Sequence, residues 1–323
     1  MRMGAERSAD PTLGHGRAVA KLILLGEHVV LYGRPAISLP VPLVGVTATA
    51  RRSRGPATVE STNAAGRGRT AGPGDPAVSR LAVAAVCHHL RVPDDGLAIT
   101  IDSDIPSERG LGSSAAISAA IIRAVADLWD RKLSDETLFT LIQESEALAH
   151  GNASGVDART VIGSAGPLWF QHGMTRPLPV ADSADRAVLV VGDTGVAGST
   201  REAVATVRRR LQALGAAGED LLERAGQLTH GAAEDLRLGR FAELGDAMTG
   251  AQRILVRLGV SCPAVDELVA AALAGGALGA KLSGGGLGGC VIALTTDAPA
   301  VRAALLAAGA QRCLEVPLNP VEV

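Results

Sequence analysis

A glycine-rich turn that leads into an apolar helix constrains this chain more than any other feature. Residues 105–114 contain Pro106, Gly110 and Gly112, a composition typical of a turn. Residues 115–129 follow with almost no charge until the far end, so they predict a helix that must be buried. Free backbone N–H groups at such a helix start attract phosphate, and glycine lets the anion approach closely. The segment therefore predicts an anion site, with an ordinary helix cap as the alternative.

A cation for that site has to come from elsewhere in the chain. The loop is not a Walker A motif, because no lysine follows its glycines. Lysine is rare, at three residues against 28 arginines, and arginine cannot replace a compact ammonium at a crowded phosphate site. Lys21 lies in an apolar predicted strand, where a charge is costly unless it is paired. Lys21 is therefore a candidate functional residue, with a structural ion pair as the alternative, whereas Lys132 is predicted to lie on the surface.

Two polar residues follow the Lys21 strand directly. Glu27 and His28 stand at the predicted strand end, a place where functional sites are built. A satisfied core histidine is the usual explanation for a single histidine. Because this Glu-His pair follows a buried lysine within seven residues, a functional role is also open.

A second polar cluster spans residues 146–157. Glu146 and His150 are four residues apart, so they share one face of a predicted helix and could be a metal pair. Zinc would need a third ligand, and no second histidine lies nearby. A carboxylate facing Mg²⁺ is more natural for Glu146, because hard cations prefer oxygen. Asp157 is either a helix N-cap or a general base that positions a substrate hydroxyl.

A second glycine-rich segment, residues 279–290, lies between two predicted strands near the C-terminus. Gly284, Gly286 and Gly289 match the spacing of a dinucleotide-binding fingerprint. That fingerprint should open a helix early in a βαβ unit, whereas a β run follows here. The better interpretation is a backbone that passes very close to a ligand or to another loop.

Composition excludes several classes of protein. A net charge of −2 and an aromatic content of 2% argue against a nucleic-acid partner. No apolar run reaches the roughly 18 residues of a membrane span, and residues 1–16 lack the apolar region of a signal peptide. The four cysteines are scattered singly and are interpreted as reduced thiols. These features predict a cytoplasmic protein without a membrane partner.

The length of 323 residues favours two packed domains. The expected organisation is a disordered segment at 1–15, an N-terminal domain at 16–185 and a C-terminal domain at 186–323. Residues 51–76 are rich in Gly, Pro, Ser and Arg and are interpreted as turns or a mobile excursion. Strand and helix patterns alternate through the rest of both halves.

With these four segments in this order, the chain resembles the GHMP kinase superfamily and, within it, the mevalonate kinases. The resemblance rests on residues 16–33, 110–116, 146–157 and 281–290, whose ordered combination is highly specific. It implies an α/β fold of the α+β type, with an N-terminal mixed-sheet domain and a C-terminal ferredoxin-like domain. The active site would lie in the cleft between them, and the family likeness implies a homodimer.

The resemblance also implies an activity, the ATP-dependent phosphorylation of mevalonate at its C5 hydroxyl with Mg²⁺ as cofactor. Asp157 would face that hydroxyl as base or orienter, with Lys21 beside it. Ser114 and Glu146 would hold Mg²⁺. The substrate would contact Glu27, His28 and Thr200. The ATP-binding residues would be Glu108, Arg109, Gly110, Leu111, Gly112, Ser113 and Ser114.

Two departures from the family pattern and two alternatives stay open. Glu108 and Arg109 stand where many relatives have small residues, and Glu108 would repel phosphate unless Arg109 offsets it or it points to solvent. Leu287 interrupts the glycines of the last segment. Phosphomevalonate kinase is the nearest rival activity. A non-catalytic sugar- or nucleotide-binding regulator with the same fold is the alternative from a different class.

Overall fold

The structure, a computed structural model of the 323-residue chain, describes residues 12–62, 76–150, 154–163, 166–182 and 187–319. The strands are β1 (Leu13–Leu25), β2 (Ala36–Arg52), β3 (Thr58–Thr62), β4 (Leu97–Ser103), β5 (Leu168–Gln171), β6 (Met174–Pro177), β7 (Val188–Asp193), β8 (Gly279–Ser283), β9 (Cys290–Thr295) and β10 (Arg312–Pro317). The helices are α1 (Pro76–Leu90), α2 (Ser113–Leu128), α3 (Asp135–His150), α4 (Val156–Ile162), α5 (Thr200–Leu214), α6 (Ala216–Leu238), α7 (Phe241–Arg257), α8 (Pro263–Ala274) and α9 (Ala298–Ala307), and a 3-10 helix covers Val29–Tyr32. No helix within the described ranges has the length and apolar character that a bilayer crossing requires.

The first sheet is mixed and has the long strand β2 at its centre. β1 pairs antiparallel along one edge of β2, and β4 and β5 pair antiparallel along the other. β3 joins β4 in parallel, and β6 joins β5 antiparallel. The expected mixed N-terminal sheet is thereby confirmed.

Helix α2 packs on β1 through its small side chains. Most of its side chains between 115 and 126 are buried, as the lack of charge predicts. The backbones come so close that a Cβ added to Gly16 of β1 would lie 2.0 Å from the carbonyl oxygen of Ala120. The predicted buried helix is confirmed. Its start is held against the strand that carries Lys21.

The second sheet is antiparallel and has the strand order β10-β7-β9-β8. Helices α5 to α8 lie between β7 and β8 in the chain, and α9 lies between β9 and β10. Helices α7, α8 and α9 pack against this sheet. The order and connections are those of a ferredoxin-like unit, as the resemblance implied.

Several boundaries and short elements differ from the sequence-based expectations or lie outside the described residues. β1 begins at Leu13, before the boundary expected at residue 16, and residues 1–11 lie outside the described part of the chain. Part of the expected excursion at 51–76 is strand β3, whereas residues 63–75 lie outside the described part. The sequence does not predict α4, β5 or β6, because segments of four to seven residues carry little periodicity. The division at 185/186 falls at residues that the structure does not describe and stays a prediction.

The hydrophobic core is continuous across the two sheets. One cluster of buried side chains joins Leu22 of β1 and Ile121 of α2 to Leu189 of β7 and Leu244 of α7. Helix α6 also contacts β1 and β2. The two sheets are therefore joined by shared buried side chains and by the contacts of α6 with the first sheet.

Candidate active site

The predicted anion loop forms a tight turn at the start of α2. Gly110 and Gly112 have φ angles of +73° and +72°, in the left-handed region that glycine adopts without strain. Gly112 is the N-cap of α2 and has no side chain to bond the first helical N–H groups. This is the geometry of a helix start that binds phosphate.

The second glycine-rich segment, between β8 and β9, packs directly against this turn. A Cβ added to Gly110 would lie 2.6 Å from the carbonyl oxygen of Ser283, and one on Gly284 would lie 2.7 Å from Cα of Gly110. Neither backbone has room for a side chain at this contact. The prediction that this segment passes very close to another loop is therefore confirmed.

Lys21 reaches the loop from β1 and pairs with Asp157 of α4. Its Nζ lies 2.9 Å from Oδ1 of Asp157, and its side chain is 2% exposed against 40% for the aspartate. The backbone N–H of Lys21 donates to the carbonyl oxygen of Leu111 at 3.0 Å. A buried ammonium thus lies against the phosphate loop, and its charge is balanced by a carboxylate that a substrate can reach.

Helix α4 is fixed to α3 by an arginine that the sequence does not single out. Arg159 donates to both carboxylate oxygens of Glu136, each at 2.7 Å. Its guanidinium also lies 3.7 Å from the ring centroid of Phe139. A bidentate pair of this kind restricts geometry as well as adding stability. It therefore helps to set the position of Asp157.

Ser114 and Glu146 meet at the start of α2. Ser114 Oγ donates to Oε1 of Glu146 at 2.5 Å. Burial raises the pKa of Glu146 to about 7 against the effect of the Ser114 hydrogen bond; Asp157 adds to the rise and Lys21 opposes it. A hydroxyl and a carboxylate side by side are oxygen ligands that suit Mg²⁺, and a buried carboxylate gains from a nearby cation. These two residues fit a magnesium ion.

The alternative of a zinc pair at Glu146 and His150 is not tested by the described residues. Within the described ranges, no three His, Cys, Asp or Glu residues are grouped so that they could hold a metal ion. Zinc needs three or four such ligands, whereas Mg²⁺ keeps water and phosphate oxygens as ligands. The side chain of His150 lies outside the described part. The donors at Ser114 and Glu146 therefore suit an ion that arrives with ATP.

Glu27 pairs with Lys281, a residue to which the sequence assigned no role. Lys281 Nζ, on β8, donates to Oε1 of Glu27 and to the carbonyl oxygen of Leu282. Burial raises the pKa of Glu27 and lowers that of Lys281, and their mutual attraction opposes both shifts. Among the described residues, Oε2 of Glu27 has no hydrogen-bond partner, and Glu27 lines a small cavity with Thr229 of α6 and Ile254 of α7. The predicted contact of Glu27 with substrate stays a prediction.

His28 and Thr200 meet at the backbone of Gly285. Nε2 of His28 donates to the carbonyl oxygen of Gly285 at 2.8 Å, because a carbonyl can only accept. Burial lowers the pKa of His28, which favours the neutral ring. A Cβ added to Gly285 would lie 3.0 Å from Oγ1 of Thr200, the first residue of α5. Two predicted substrate residues therefore lie close to the same glycine.

The two charged residues before the loop differ in their surroundings. Glu108 is exposed, with a left-handed φ of +58°. Arg109 Nε lies 2.9 Å from Oδ1 of Asp193 at the end of β7, and its Nη2 donates to the carbonyl oxygen of Gly195 at 3.1 Å. Arg109 thus ties the loop to the second sheet. Contacts of Glu108, Arg109 and Leu111 with ATP stay predictions.

A cavity of about 560 Å³ is lined by residues that lie near the candidate site residues in the chain. Its lining includes Ser154, three residues before Asp157, and Val204, one helical turn after Thr200. Val30 of the 3-10 helix also contributes. The volume lies within the range of about 300–1,000 Å³ that is typical of small-molecule sites.

Comparison with known proteins agrees with this geometry. Two family models match, the GHMP kinases N terminal domain at residues 63–164 and the GHMP kinases C terminal domain at 232–311. The mevalonate kinase of Pyrococcus abyssi is 35% identical over 303 residues, which cover 88% of this chain and 89% of that protein. The crystal structure of L. major mevalonate kinase in complex with R-mevalonate matches with a TM-score of 0.80 at 25% identity, covering 96% of this chain and 97% of that one.

A solved phosphomevalonate kinase shares the fold alone. The Streptococcus pneumoniae enzyme, in complex with phosphomevalonate and AMPPNP, matches with a TM-score of 0.76 at 17% identity and covers 94% of this chain and 99% of that one. An identity this low says nothing about substrate.

The two-sheet fold, with its glycine-rich loop at a helix start and a lysine supplied from β1, defines a small-molecule kinase of the GHMP class. The family models on both halves confirm this class. Within this class, the chain shares about one third of its residues with mevalonate kinases along most of its length. The chain therefore belongs to the mevalonate kinase family.

Proposed function

We propose that the chain transfers the γ-phosphoryl group of ATP to the C5 hydroxyl of mevalonate. The products are 5-phosphomevalonate and ADP, in the mevalonate route to isoprenoids. The observation that carries the proposal is the Lys21–Asp157 ion pair, which lies against the phosphate loop. The pair places a proton acceptor and a buried cation beside the loop, where the γ-phosphate of ATP would lie. Membership of the mevalonate kinase family supports mevalonate as the acceptor.

The transfer needs positioning and positive charge more than covalent catalysis. The C5 oxygen of mevalonate attacks the γ-phosphorus, and the bond from that phosphorus to the bridging oxygen of ADP breaks. Asp157 orients the hydroxyl and accepts its proton. The Lys21 ammonium, 2.9 Å from Asp157, stabilises negative charge on the attacking oxygen and the migrating phosphoryl group.

The nucleotide side of the site is formed by the loop and the oxygen donors behind it. The N–H groups at the start of α2 bind the phosphates of ATP, with Gly110, Gly112 and Ser113 in contact. Mg²⁺ would be held by Ser114 and Glu146. When bound, it neutralises charge on the β- and γ-phosphates.

The substrate side is formed by residues near Gly285. His28 and Thr200 contact mevalonate. Glu27 would contact mevalonate through Oε2, which has no hydrogen-bond partner among the described residues, while Oε1 is bound to Lys281.

The proposal also includes a cytoplasmic location and a homodimeric state. All four cysteines are free thiols, as expected in a reducing compartment. The homodimer rests on family likeness. Size-exclusion chromatography with light scattering measures it directly.

A panel of acceptors with ATP and Mg²⁺ tests the activity. We expect turnover of R-mevalonate, with product formation followed by coupled ADP release and by mass spectrometry of the phosphorylated acid. Turnover of phosphomevalonate but not of mevalonate would favour the rival kinase. Nucleotide binding without turnover of any acceptor in the panel would favour a non-catalytic regulator.

A further inference from the structure

The 560 Å³ cavity is formed by residues that lie next to the candidate site residues in the chain. The elements that carry the site residues also form its walls. Ser154 precedes Asp157, Val30 follows His28, and Val204 follows Thr200. A molecule with its reacting hydroxyl at Asp157 would therefore place its remaining atoms in this cavity.

The walls combine apolar and polar surface. Val30, Phe170 and Val204 supply apolar surface, which suits a methyl group and methylenes. Tyr32 and His172 supply hydrogen-bonding groups. A small branched hydroxy acid needs both kinds of surface, and it also needs a partner for its carboxylate.

Arg208 is the permanent cation among the described residues that line the cavity. It lies on the same face of α5 as Thr200 and Val204, because positions four apart on a helix share a face. Helical side chains lean towards the N-terminus, which favours a guanidinium position on the Thr200 side of Arg208.

The neighbouring Arg209 and Arg210 of α5 donate hydrogen bonds, whereas Arg208 has no hydrogen-bond or ion-pair partner among the described residues. Arg209 donates to Oγ1 of Thr206, and Arg210 donates to the carbonyl oxygen of Arg257. Within the part of the chain that the structure describes, no carboxylate or carbonyl group accepts a hydrogen bond from Arg208. Its charge is therefore available to a ligand in the cavity.

We infer that Arg208 is a specificity-determining residue that binds the carboxylate of the substrate. The inference rests on the proposed function and deepens it, because it assigns the end of the substrate that does not react. A guanidinium presents its donors in a fork that matches a carboxylate, so the contact favours hydroxy acids over uncharged polyols. Bound at one end by Arg208, the acid keeps its other end at Asp157.

The test compares R208Q with R209Q, which removes the same charge from the same helix. For R208Q we expect the KM for mevalonate to rise by about 10- to 100-fold, as the loss of a charged hydrogen bond implies. The KM for ATP and the melting temperature should stay at wild-type values. R209Q should keep the wild-type KM for mevalonate, and R208K should lie between wild type and R208Q.

A second substrate separates carboxylate binding from a general structural effect. In 3-methylpentane-1,3,5-triol an alcohol replaces the carboxylate of mevalonate. Wild type and R208Q should use this triol with equal kcat/KM, because the contact that R208Q removes is absent. A loss of the same size with both substrates, or an equal KM rise in R208Q and R209Q, would overturn the inference.

Calorimetric titration with mevalonate, without ATP, keeps this inference distinct from the proposed activity. A failure of wild type to phosphorylate mevalonate counts against the activity alone. Binding that is weaker in R208Q than in wild type and R209Q supports Arg208 whatever the turnover. Equal binding in wild type and R208Q, or no binding to wild type, counts against it.

Discussion

Lys21 leaves no room for a side chain at Gly112: a Cβ there would lie 2.7 Å from Cγ and 2.9 Å from Cε of the lysine. The loop therefore closes around a lysine that belongs to β1. A Walker loop carries its lysine within the motif, whereas this loop takes its cation from a distant part of the chain. The contact makes loop geometry and lysine position depend on each other.

Gly112→Ala tests that dependence. The alanine would meet Lys21 and would also adopt a φ of +72°, which L-residues rarely adopt. A displacement of about 1 Å at a reacting centre costs on the order of a hundredfold in rate, so we expect kcat to fall by about that factor. Steady-state kinetics measures the fall in kcat, and thermal unfolding measures the effect of the strained φ on stability. Gly231→Ala is the matched control, because a Cβ there meets nothing within 4 Å and the position is helical.

Asp157→Asn removes the proposed proton acceptor while keeping the shape of the side chain. We expect kcat to fall by about a hundred- to ten-thousand-fold, the usual contribution of a general base, with ATP affinity nearly unchanged. Kinetics and nucleotide titration provide the measurements. Asp220→Asn, at an exposed position of α6, is the control. Wild-type turnover in the Asp157 variant would show that the assignment is wrong.

Glu146→Gln tests the proposed magnesium site. Glu146 accepts a hydrogen bond from Ser114 and is 9% exposed, so it supplies a buried charged oxygen. Loss of that charge should raise the Mg²⁺ concentration for half-maximal activity by about tenfold or more, at fixed ATP. Glu144→Gln, exposed on the same helix, should leave the titration unchanged. Identical Mg²⁺ curves for both variants would remove Glu146 from the metal site.

Lys281→Met should destabilise the fold. The variant leaves the carboxylate of Glu27 buried without its partner, which costs about 3–5 kcal/mol in comparable buried pairs. Adding Glu27→Gln to Lys281→Met should recover part of that loss, because a neutral amide costs less to bury than an unpaired charge. Urea unfolding followed by circular dichroism measures both changes. Additive losses in the double variant would contradict the coupling.

Three of the four thiols should react in an order set by burial. Burial raises the pKa of Cys87 to about 11 and that of Cys290 to about 12, so at pH 8 both are almost fully protonated. Cys262 is only half-buried. Alkylation of the native protein, followed by mass spectrometry, should label Cys262 before Cys87 and Cys290, and unfolding should equalise the rates. Early labelling of Cys290 would contradict the burial of β9.

Regular elements could be predicted from the sequence because periodicity is a local property. The buried helix α2 and the elements of the second sheet follow apolar patterns that extend over enough residues to be recognised. The hairpin of β5 and β6 has only four residues in each strand, which is too short for an apolar pattern to be recognised. Its existence depends on the pairing of β5 with β2, a contact that no local pattern encodes.

The candidate site residues could be proposed one by one from the sequence, but their contacts could not. Glycines at a helix start, a lysine in an apolar strand and a carboxylate cluster each indicate chemistry locally. The partners of Glu27 and Arg109 lie far away in sequence, at Lys281 and Asp193. The rarity of lysine was the one signal that pointed to Lys281. Only the packing of β8 against β1 makes it the partner of Glu27.

By itself the sequence determined the kind of loop, the burial of the helix behind it and the absence of a lysine within the motif. These properties depend on composition and spacing along the chain. The tertiary structure decided which charges meet: Lys21 with Asp157, and Arg109 with Asp193. Electrostatic interactions depend on distance and burial in space. Both are set where β1, α4 and the second sheet converge on the loop, so the same residues acquire their roles only in the folded chain.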